Sequence, residues 1–185
     1  MNDKTAECVR EQAGKPAAKR PSLWQTGALF HACHRFPRKP KTKRVDRLAG
    51  ILRHGLVAPG CCQDGSVFSD LNIVVTGADM AYDRLVFLHR YGPQSFIYTY
   101  GEPDKFFVFV DPAHPVLTPD DMGDNWVILS QDEVYVRERV ALENFTGIVV
   151  HPADAERVVS EFAEEFARLR IPVRDFDNND LWQPR

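Results

Sequence analysis

Two acids and an amide stand directly before a short run of β-branched and aromatic residues. Gln131, Asp132 and Glu133 precede or open the run Val134-Tyr135-Val136, which predicts a buried strand. A carboxylate at such a strand entry is held by rigid backbone and can aim a fixed negative charge at one substrate atom. Gln131 lies two residues before Glu133, on the same side of an extended chain. A polar strand entry without chemical function explains the same residues, because strand entries are often polar.

Several further elements have to position this carboxylate. Residues 28–33 predict a first strand, and the helical spacing of apolar residues over 45–52, followed by Gly55, predicts a helix. Asp154 is a plausible N-cap for a last helix. The buried stripe of that helix is expected to be Val158, Val159, Phe162, Phe166 and Leu169. The other candidate strands are residues 66–68, 85–89, 95–100, 106–110, 126–129, 133–136 and 146–150.

This order of elements predicts an α+β domain with a mostly antiparallel or split sheet and no βαβ repeat. The 185 residues suffice for one domain with a substantial core. Residues 1–26 are polar and lack periodicity, which predicts a flexible N-terminal arm. A single domain is therefore expected over residues 27–185.

The charge of the chain is strongly asymmetric although its net value is only −3. Residues 1–53 hold 13 basic and 4 acidic residues, whereas the remainder holds 10 and 22. The basic cluster can attract phosphates or an acidic partner surface, and a solvated loop and helix face explains it equally well. The cluster consists of Arg35, Arg38, Lys39, Lys41, Lys43, Arg44, Arg47 and Arg53.

The four cysteines do not predict a disulfide framework in a chain of this length, so a reducing, cytoplasmic compartment is the expectation. His31, Cys33 and His34 lack the paired spacings of a zinc site, and no metal is predicted. No apolar stretch approaches the roughly 18 residues that a membrane helix needs. No secretory signal is recognised in residues 1–20, which leaves delivery into another cell by a different route open.

Two groups of residues resemble the ADP-ribosyltransferase superfamily most directly. Leu29-Phe30-His31-Ala32, followed by residues 48–56, is similar to the opening strand of that family with its His and to the helix that ends in Gly-Leu. Gln131-Asp132-Glu133-Val134, with residues 145–150, is similar to the Gln/Glu-x-Glu turn, the catalytic strand and the last strand. Bacterial toxin and DNA-modifying members are the most similar in this pattern of a His, then Ile-Leu-x-x-Gly-Leu, then Glu-Val.

A third group is similar to the central strands of the family and to the acidic loop that follows them. It comprises residues 85–88, 107–112 and 117–121. The middle motif, a Ser-Thr-Ser strand or a stacking Tyr, has two candidates in this chain. One is Ser66-Val67-Phe68-Ser69 with Tyr82 downstream, and the other is residues 85–89 with Tyr91 and Tyr98.

The resemblance implies a split β-sheet sandwich of ADP-ribosyltransferase type, with a helix after the first strand and a C-terminal helix. It implies transfer of ADP-ribose from NAD, a co-substrate, to a macromolecular acceptor, with release of nicotinamide. Glu133 would be the catalytic carboxylate and Gln131 would face the acceptor, which is protein or nucleic acid. A cognate inhibitor protein is a further partner that such a protein could have.

The remaining implied site residues would bind the co-substrate. His31, with Ala32 beside it, would offer a ring N–H to a ribose hydroxyl. Tyr82, Tyr91 or Tyr98 would stack on nicotinamide, with Ser66 in the alternative middle motif. Arg35, Lys39 and Arg44 could contact the pyrophosphate or the backbone of an acceptor.

Three other functions are compatible with the sequence. NAD glycohydrolysis would use water as the acceptor, and transfer of an RNA 2′-phosphate to NAD would need cations that grip that phosphate. A non-catalytic module that holds nucleotide or nucleic acid through its basic residues would show salt-dependent affinity without NAD turnover.

Overall fold

The structure, a computed structural model, describes residues 28–36, 46–58, 61, 84–91, 102–118, 121 and 133–184. Within these ranges the side chains of Tyr91 and Glu133 are not described, only their backbone. The N-terminal arm, the strands predicted at 66–68, 95–100 and 126–129, and the predicted site residues Ser66, Tyr82 and Gln131 lie outside the described residues.

The described residues form two helices and nine strands, with 3₁₀ turns at Leu142–Asn144 and Pro152–Asp154. In chain order they are β1 (Ala28–His34), α1 (Arg47–His54), β2 (Leu56–Val57), β3 (Leu85–Tyr91), β4 (Lys105–Val110), β5 (Glu133–Arg137), β6 (Arg139–Val140), β7 (Phe145–Val150), α2 (Ala155–Leu169), β8 (Val173–Asp175) and β9 (Asp180–Trp182).

Seven of these strands form one open sheet in the order β5-β3-β1-β4-β7-β8-β9, and β2 pairs separately with β6. Neighbours in the large sheet are antiparallel except β7 and β8, which are parallel. The predicted α+β class with a mostly antiparallel sheet is therefore confirmed. The predicted positions of β1, α1, β3, β4, β5, β7 and α2 are confirmed as well.

Local chemistry fixes both ends of α1. The Asp46 carboxylate accepts hydrogen bonds from the backbone N–H groups of Leu48, at 3.0 Å, and Ala49, at 3.4 Å, which caps the first turn. The helix ends at Gly55, whose φ of +80° is a conformation that glycine adopts readily. A Cβ at Gly55 would lie 2.4 Å from the carbonyl oxygen of Val140, so the close approach of β6 also requires glycine.

Helix α2 covers the sheet with the predicted apolar stripe, of which Val158, Phe162 and Phe166 are buried. Asp154 precedes the helix as predicted, but its side chain makes no capping hydrogen bond. Its carboxylate instead accepts from the backbone N–H of Asp104 at 2.6 Å and pairs with Arg157 at 2.5 Å. Asp154 therefore ties the start of α2 to the turn before β4.

The two faces of the large sheet bury separate clusters of side chains. Alternate residues of β1 show the division, because Leu29 belongs to the main core with α1 and α2 while Phe30 belongs to the second cluster. Cys33 packs against the main core and Ala32 against the second cluster. By this alternation His31 lies on the face that α1 and α2 cover.

Regular secondary structure continues after α2, whereas the sequence predicted this helix as the last element. Strands β8 and β9 follow the helix and extend the sheet beyond β7. Each has three residues, which is too short for apolar alternation to be recognised in the sequence. The pair β2 and β6 was not predicted for the same reason, since each strand has two residues.

Candidate functional site

Strands β1 and β3 separate at His31. They pair only from Ala28 opposite Tyr91 to Phe30 opposite His89. Beyond that point β1 continues its pairing with β4 as far as His34, whereas β3 continues its pairing with β5. The sheet is thus split along one edge of β1, and His31 is the first residue after the ladder ends.

The His31 side chain forms a hydrogen bond with a backbone carbonyl group at this split. Its Nδ1 lies 2.9 Å from the carbonyl oxygen of Phe87 on β3. A carbonyl oxygen can only accept, so Nδ1 carries the hydrogen and donates it. The imidazole therefore bridges β1 and β3 where backbone hydrogen bonds no longer do.

The protonation state of His31 follows from its surroundings. Burial lowers its pKa from the ordinary value, the hydrogen bond to Phe87 opposes this, and the charge of Arg47 lowers the pKa further. The ring is therefore neutral at neutral pH, with its hydrogen on Nδ1 and a lone pair on Nε2. Among the described residues Nε2 has no hydrogen-bond partner.

This geometry corrects one detail of the sequence prediction. His31 was expected to offer a ring N–H to a ribose hydroxyl, yet that N–H is used by the Phe87 carbonyl. The remaining nitrogen is an acceptor, so a ribose hydroxyl would have to donate its hydrogen to Nε2.

Glu133 opens β5, two strands away from β1. His89 of β3 pairs with both Phe30 and Glu133, so these three residues form one row across the sheet. His31 belongs to the next row, and from strand spacings its Cα lies about 10 Å from that of Glu133. The structure therefore brings the backbones of the two residues near each other.

The other described site residues lie on the same strands. Ala32 follows His31, pairs with Phe107 of β4 and is half-buried against the second cluster. Tyr91 is the last residue of β3 and pairs with Ala28. Tyr91 is thus on the strand that separates β1 from β5.

Arg35 has a structural environment that differs from the predicted contact with pyrophosphate. Its side chain is 4% exposed. Its Nε and Nη2 donate to the Asp46 carboxylate at 2.8 and 2.6 Å, and Nη2 also contacts the Glu161 carboxylate. The guanidinium carbon lies 5.1 Å from the ring centres of both Phe36 and Phe162, within cation–π range.

These contacts determine what Arg35 can do. Burial lowers its pKa, but the hydrogen bonds and charges of Asp46 and Glu161 outweigh burial and raise the pKa overall. Arg35 is therefore a permanent cation that joins the end of β1 to the N-cap of α1 and to α2. Sequence alone grouped it with the exposed basic residues, because burial and pairing arise only when the two helices meet.

Arg47, which the sequence grouped with the basic cluster without giving it a place in the site, lies in this region. It is the first residue of α1 and is half-buried. Its positive charge lowers the pKa of both His31 and the Cys33 thiol. Burial raises the pKa of the Cys33 thiol, while Arg47 partly offsets this increase.

Two cavities lie in the described part of the molecule beside the helices. A groove of about 230 Å³ runs between α1 and α2, and a cavity of about 10 Å³ adjoins Arg35. Neither is lined by His31, and of the co-substrate residues whose side chains the structure describes only Arg35 lines one of them. The larger groove is lined by Ala49, Leu52, Arg53, Glu164, Glu165 and Arg168.

Comparisons with known proteins found no matching protein-family model, no matching curated protein and no matching solved structure. Among the residues described, no group of three or more His, Cys, Asp or Glu side chains could hold a metal ion. Neither of the described cysteines, Cys33 and Cys61, forms a disulfide. Neither described helix has both the length and the apolar character needed to cross a bilayer.

Replacing Arg35 tests its structural role. We expect Arg35→Met to lower the free energy of unfolding by about 3 kcal/mol, because two carboxylates lose a buried partner. The matched control, Arg84→Met, removes an ion pair with Glu138 whose side chains are 67% and 58% exposed, and should cost about 0–1 kcal/mol. Urea unfolding measures both, and equal small losses would contradict a structural role for Arg35.

The lowered pKa of His31 predicts a dependence of stability on pH. The unfolded chain, with a His pKa of about 6.5, binds a proton more readily than the folded chain. The free energy of unfolding should therefore fall as pH drops below about 6.5 and level off once pH passes below the folded pKa. His31→Gln should flatten this slope relative to wild type.

Urea unfolding between about pH 5 and pH 8 checks this prediction. The same slope in wild type and His31→Gln would show that His31 does not titrate as its environment implies.

Proposed function

We propose that this protein is an NAD-dependent mono-ADP-ribosyltransferase that acts on a macromolecule. The observation that carries the proposal is the arrangement of three adjacent strands: β1 with His31 at the split, β3, and β5, which begins at Glu133. The resemblance of the same segments to the ADP-ribosyltransferase superfamily supports it. The finer fold description, a split sandwich of that type, belongs to this proposal.

The reaction breaks the bond between C1′ of the ribose and the nicotinamide nitrogen of NAD. Nicotinamide leaves with the bonding electron pair as a neutral molecule, and positive charge develops on C1′ and the ring oxygen. An acceptor nucleophile supplies the electron pair of the new bond at C1′ and loses its proton to water or a base. A carboxylate fixed beside the ribose stabilises the cationic transition state, which is the role we assign to Glu133.

The positions of His31 and Glu133 suit a dinucleotide. NAD has two ribose groups separated by a pyrophosphate, so two residues about 10 Å apart can each contact a different part of one molecule. His31 Nε2 would accept from a hydroxyl of one ribose, and Glu133 would act at the ribose that bears nicotinamide.

Of the two candidates for the middle motif, the strand from Leu85 to Tyr91 has structural support. It lies between β1 and β5 and pairs with both. A strand that contributes to one site with His31 and Glu133 is expected to lie in this position. Tyr91 is therefore the residue we propose to stack on nicotinamide. Ser66 and Tyr82 stay predictions from the sequence.

We assign the orientation of the acceptor to Gln131. A neutral amide two residues before Glu133 can orient a polar acceptor without adding charge, so a protein or nucleic-acid acceptor is proposed. A cognate inhibitor protein is compatible with this function. If water replaces the acceptor, the same site performs NAD glycohydrolysis.

Glu133→Gln should lower the rate of nicotinamide release from NAD by roughly 100- to 1,000-fold, because one transition-state stabiliser is lost. The purified full chain is incubated with NAD labelled in the adenylate group and with a cell lysate, and free nicotinamide and labelled macromolecules are both quantified. The matched control is Glu143→Gln, an exposed carboxylate in the turn before β7, which should keep the wild-type rate.

Three outcomes separate the candidate functions. Labelled macromolecules that disappear with Glu133→Gln support ADP-ribosyl transfer, and nicotinamide release without label selects glycohydrolysis. Equal behaviour of wild type and Glu133→Gln contradicts the proposal.

A further inference from the structure

Arg35 keeps one nitrogen that its ion pairs do not use. Its Nε and Nη2 donate to the Asp46 carboxylate, and Nη2 also donates to that of Glu161. The third nitrogen, Nη1, is buried and has no hydrogen-bond partner among the described residues. An unsatisfied donor on a buried cation is costly, so we expect an acceptor beside Nη1.

A small cavity beside Arg35 has room for that acceptor. It measures about 10 Å³, which is close to the roughly 10–15 Å³ that one water molecule needs. Its lining residues all belong to the described part of the chain. They are the polar residues Arg35, Asp104, Lys105 and Asp154 and the apolar residues Leu48, Phe106, Val150 and Val158. A cavity of this size with polar lining residues suits a single polar molecule.

Asp104 holds Arg35 and Asp154 close to each other at this cavity. Its carbonyl oxygen accepts from the backbone N–H of Arg35 at 2.7 Å, and its own N–H donates to Asp154 Oδ2 at 2.6 Å. Asp154 Oδ1 accepts from Arg157 at 2.5 Å. A carboxylate offers about four acceptor positions, so these bonds leave Asp154 able to accept from a further donor. The cavity therefore has a donor, Arg35, and an acceptor, Asp154.

The charges around the cavity restrict the chemistry of its ligand. An anion would accept from Arg35 but would be repelled by the Asp154 carboxylate. A cation would be repelled by Arg35 and by Lys105, whose side chain is 6% exposed. A water molecule is neutral, and it can accept from Arg35 and donate to Asp154 at the same time.

We propose that this cavity binds one ordered water molecule, which accepts a hydrogen bond from Arg35 Nη1 and donates one to the Asp154 carboxylate. The water joins the contacts of Arg35 with Asp46, the N-cap of α1, to those of Asp154 at the start of α2. It also occupies the last nitrogen of the Arg35 guanidinium, which leaves that group without a nitrogen for a co-substrate. This water site does not depend on the proposed transfer reaction.

Water-selective NOE spectroscopy of the full chain, with ¹³C-labelled valine methyl groups, tests the site directly. Val150 and Val158 line the cavity and are 1% and 2% exposed, so we expect a cross-peak between their methyl hydrogens and a bound water. Methyl hydrogens do not exchange with solvent, so exchange cannot produce this signal. The matched control is Val173, which is 0% exposed and does not line the cavity, and it should give no cross-peak. Absence of the signal at both Val150 and Val158 would overturn the proposal.

Val158→Ile should displace the water, because it adds a methylene group to the cavity wall. Filling a dry cavity stabilises a protein, whereas loss of a bound water leaves Arg35 Nη1 without an acceptor. We therefore expect Val158→Ile to abolish the cross-peak at Val150 and to raise the equilibrium constant for urea unfolding roughly tenfold. The matched control is Val159→Ile, the same change at the next residue of α2, which does not line the cavity and should keep the cross-peak. A stabilising effect of Val158→Ile would contradict a bound water.

The same substitution in Arg35→Met separates loss of the water from crowding of the core. Without the guanidinium there is no donor to leave unsatisfied, so Val158→Ile should cost far less in Arg35→Met than in wild type. An equal cost in both would show overpacking and would reject the site. Stability that rises with chloride concentration at constant ionic strength would assign the cavity to an anion and would reject it as well. The cross-peak in wild type requires no variant, so poor folding of Arg35→Met would not affect that test.

Discussion

The hydrogen bond from His31 Nδ1 to the Phe87 carbonyl occupies the point at which β1 and β3 part. It replaces the backbone ladder there, and it decides which ring nitrogen carries the hydrogen. Burial and the charge of Arg47 keep the ring neutral, so the other nitrogen is left as an acceptor. The position of the split, the polarity of the site and the kind of ligand group it can recognise all depend on this one contact.

Two arginines near this point differ in their surroundings although both follow β1 in sequence. Arg35 is buried between two aromatic rings and bonded to two carboxylates, so it holds the end of β1 to both helices. No carboxylate partner of Arg47 is seen among the described residues, and its charge lowers the pKa of His31 and of the Cys33 thiol. Arg35 therefore uses its charge to complete the fold, whereas Arg47 acts electrostatically on the residues at the split.

Much of the fold could be predicted from the sequence because apolar periodicity and helix caps are local signals. Strands β1, β3, β4, β5 and β7 and both helices were recognisable in this way. The three-residue strands after α2 carried no such signal. The tautomer of His31 and the distinct roles of Arg35 and Arg47 could not be predicted, because they depend on side chains that only the folded chain brings together.

The most direct test of this account is a measurement of the His31 tautomer by NMR on protein labelled with ¹⁵N in its histidine rings. At neutral pH we expect Nδ1 to carry the hydrogen, Nε2 to have the chemical shift of an unprotonated nitrogen, and a coupling across the hydrogen bond from Nδ1 to the Phe87 carbonyl. A hydrogen on Nε2, or on both nitrogens at that pH, would contradict the account.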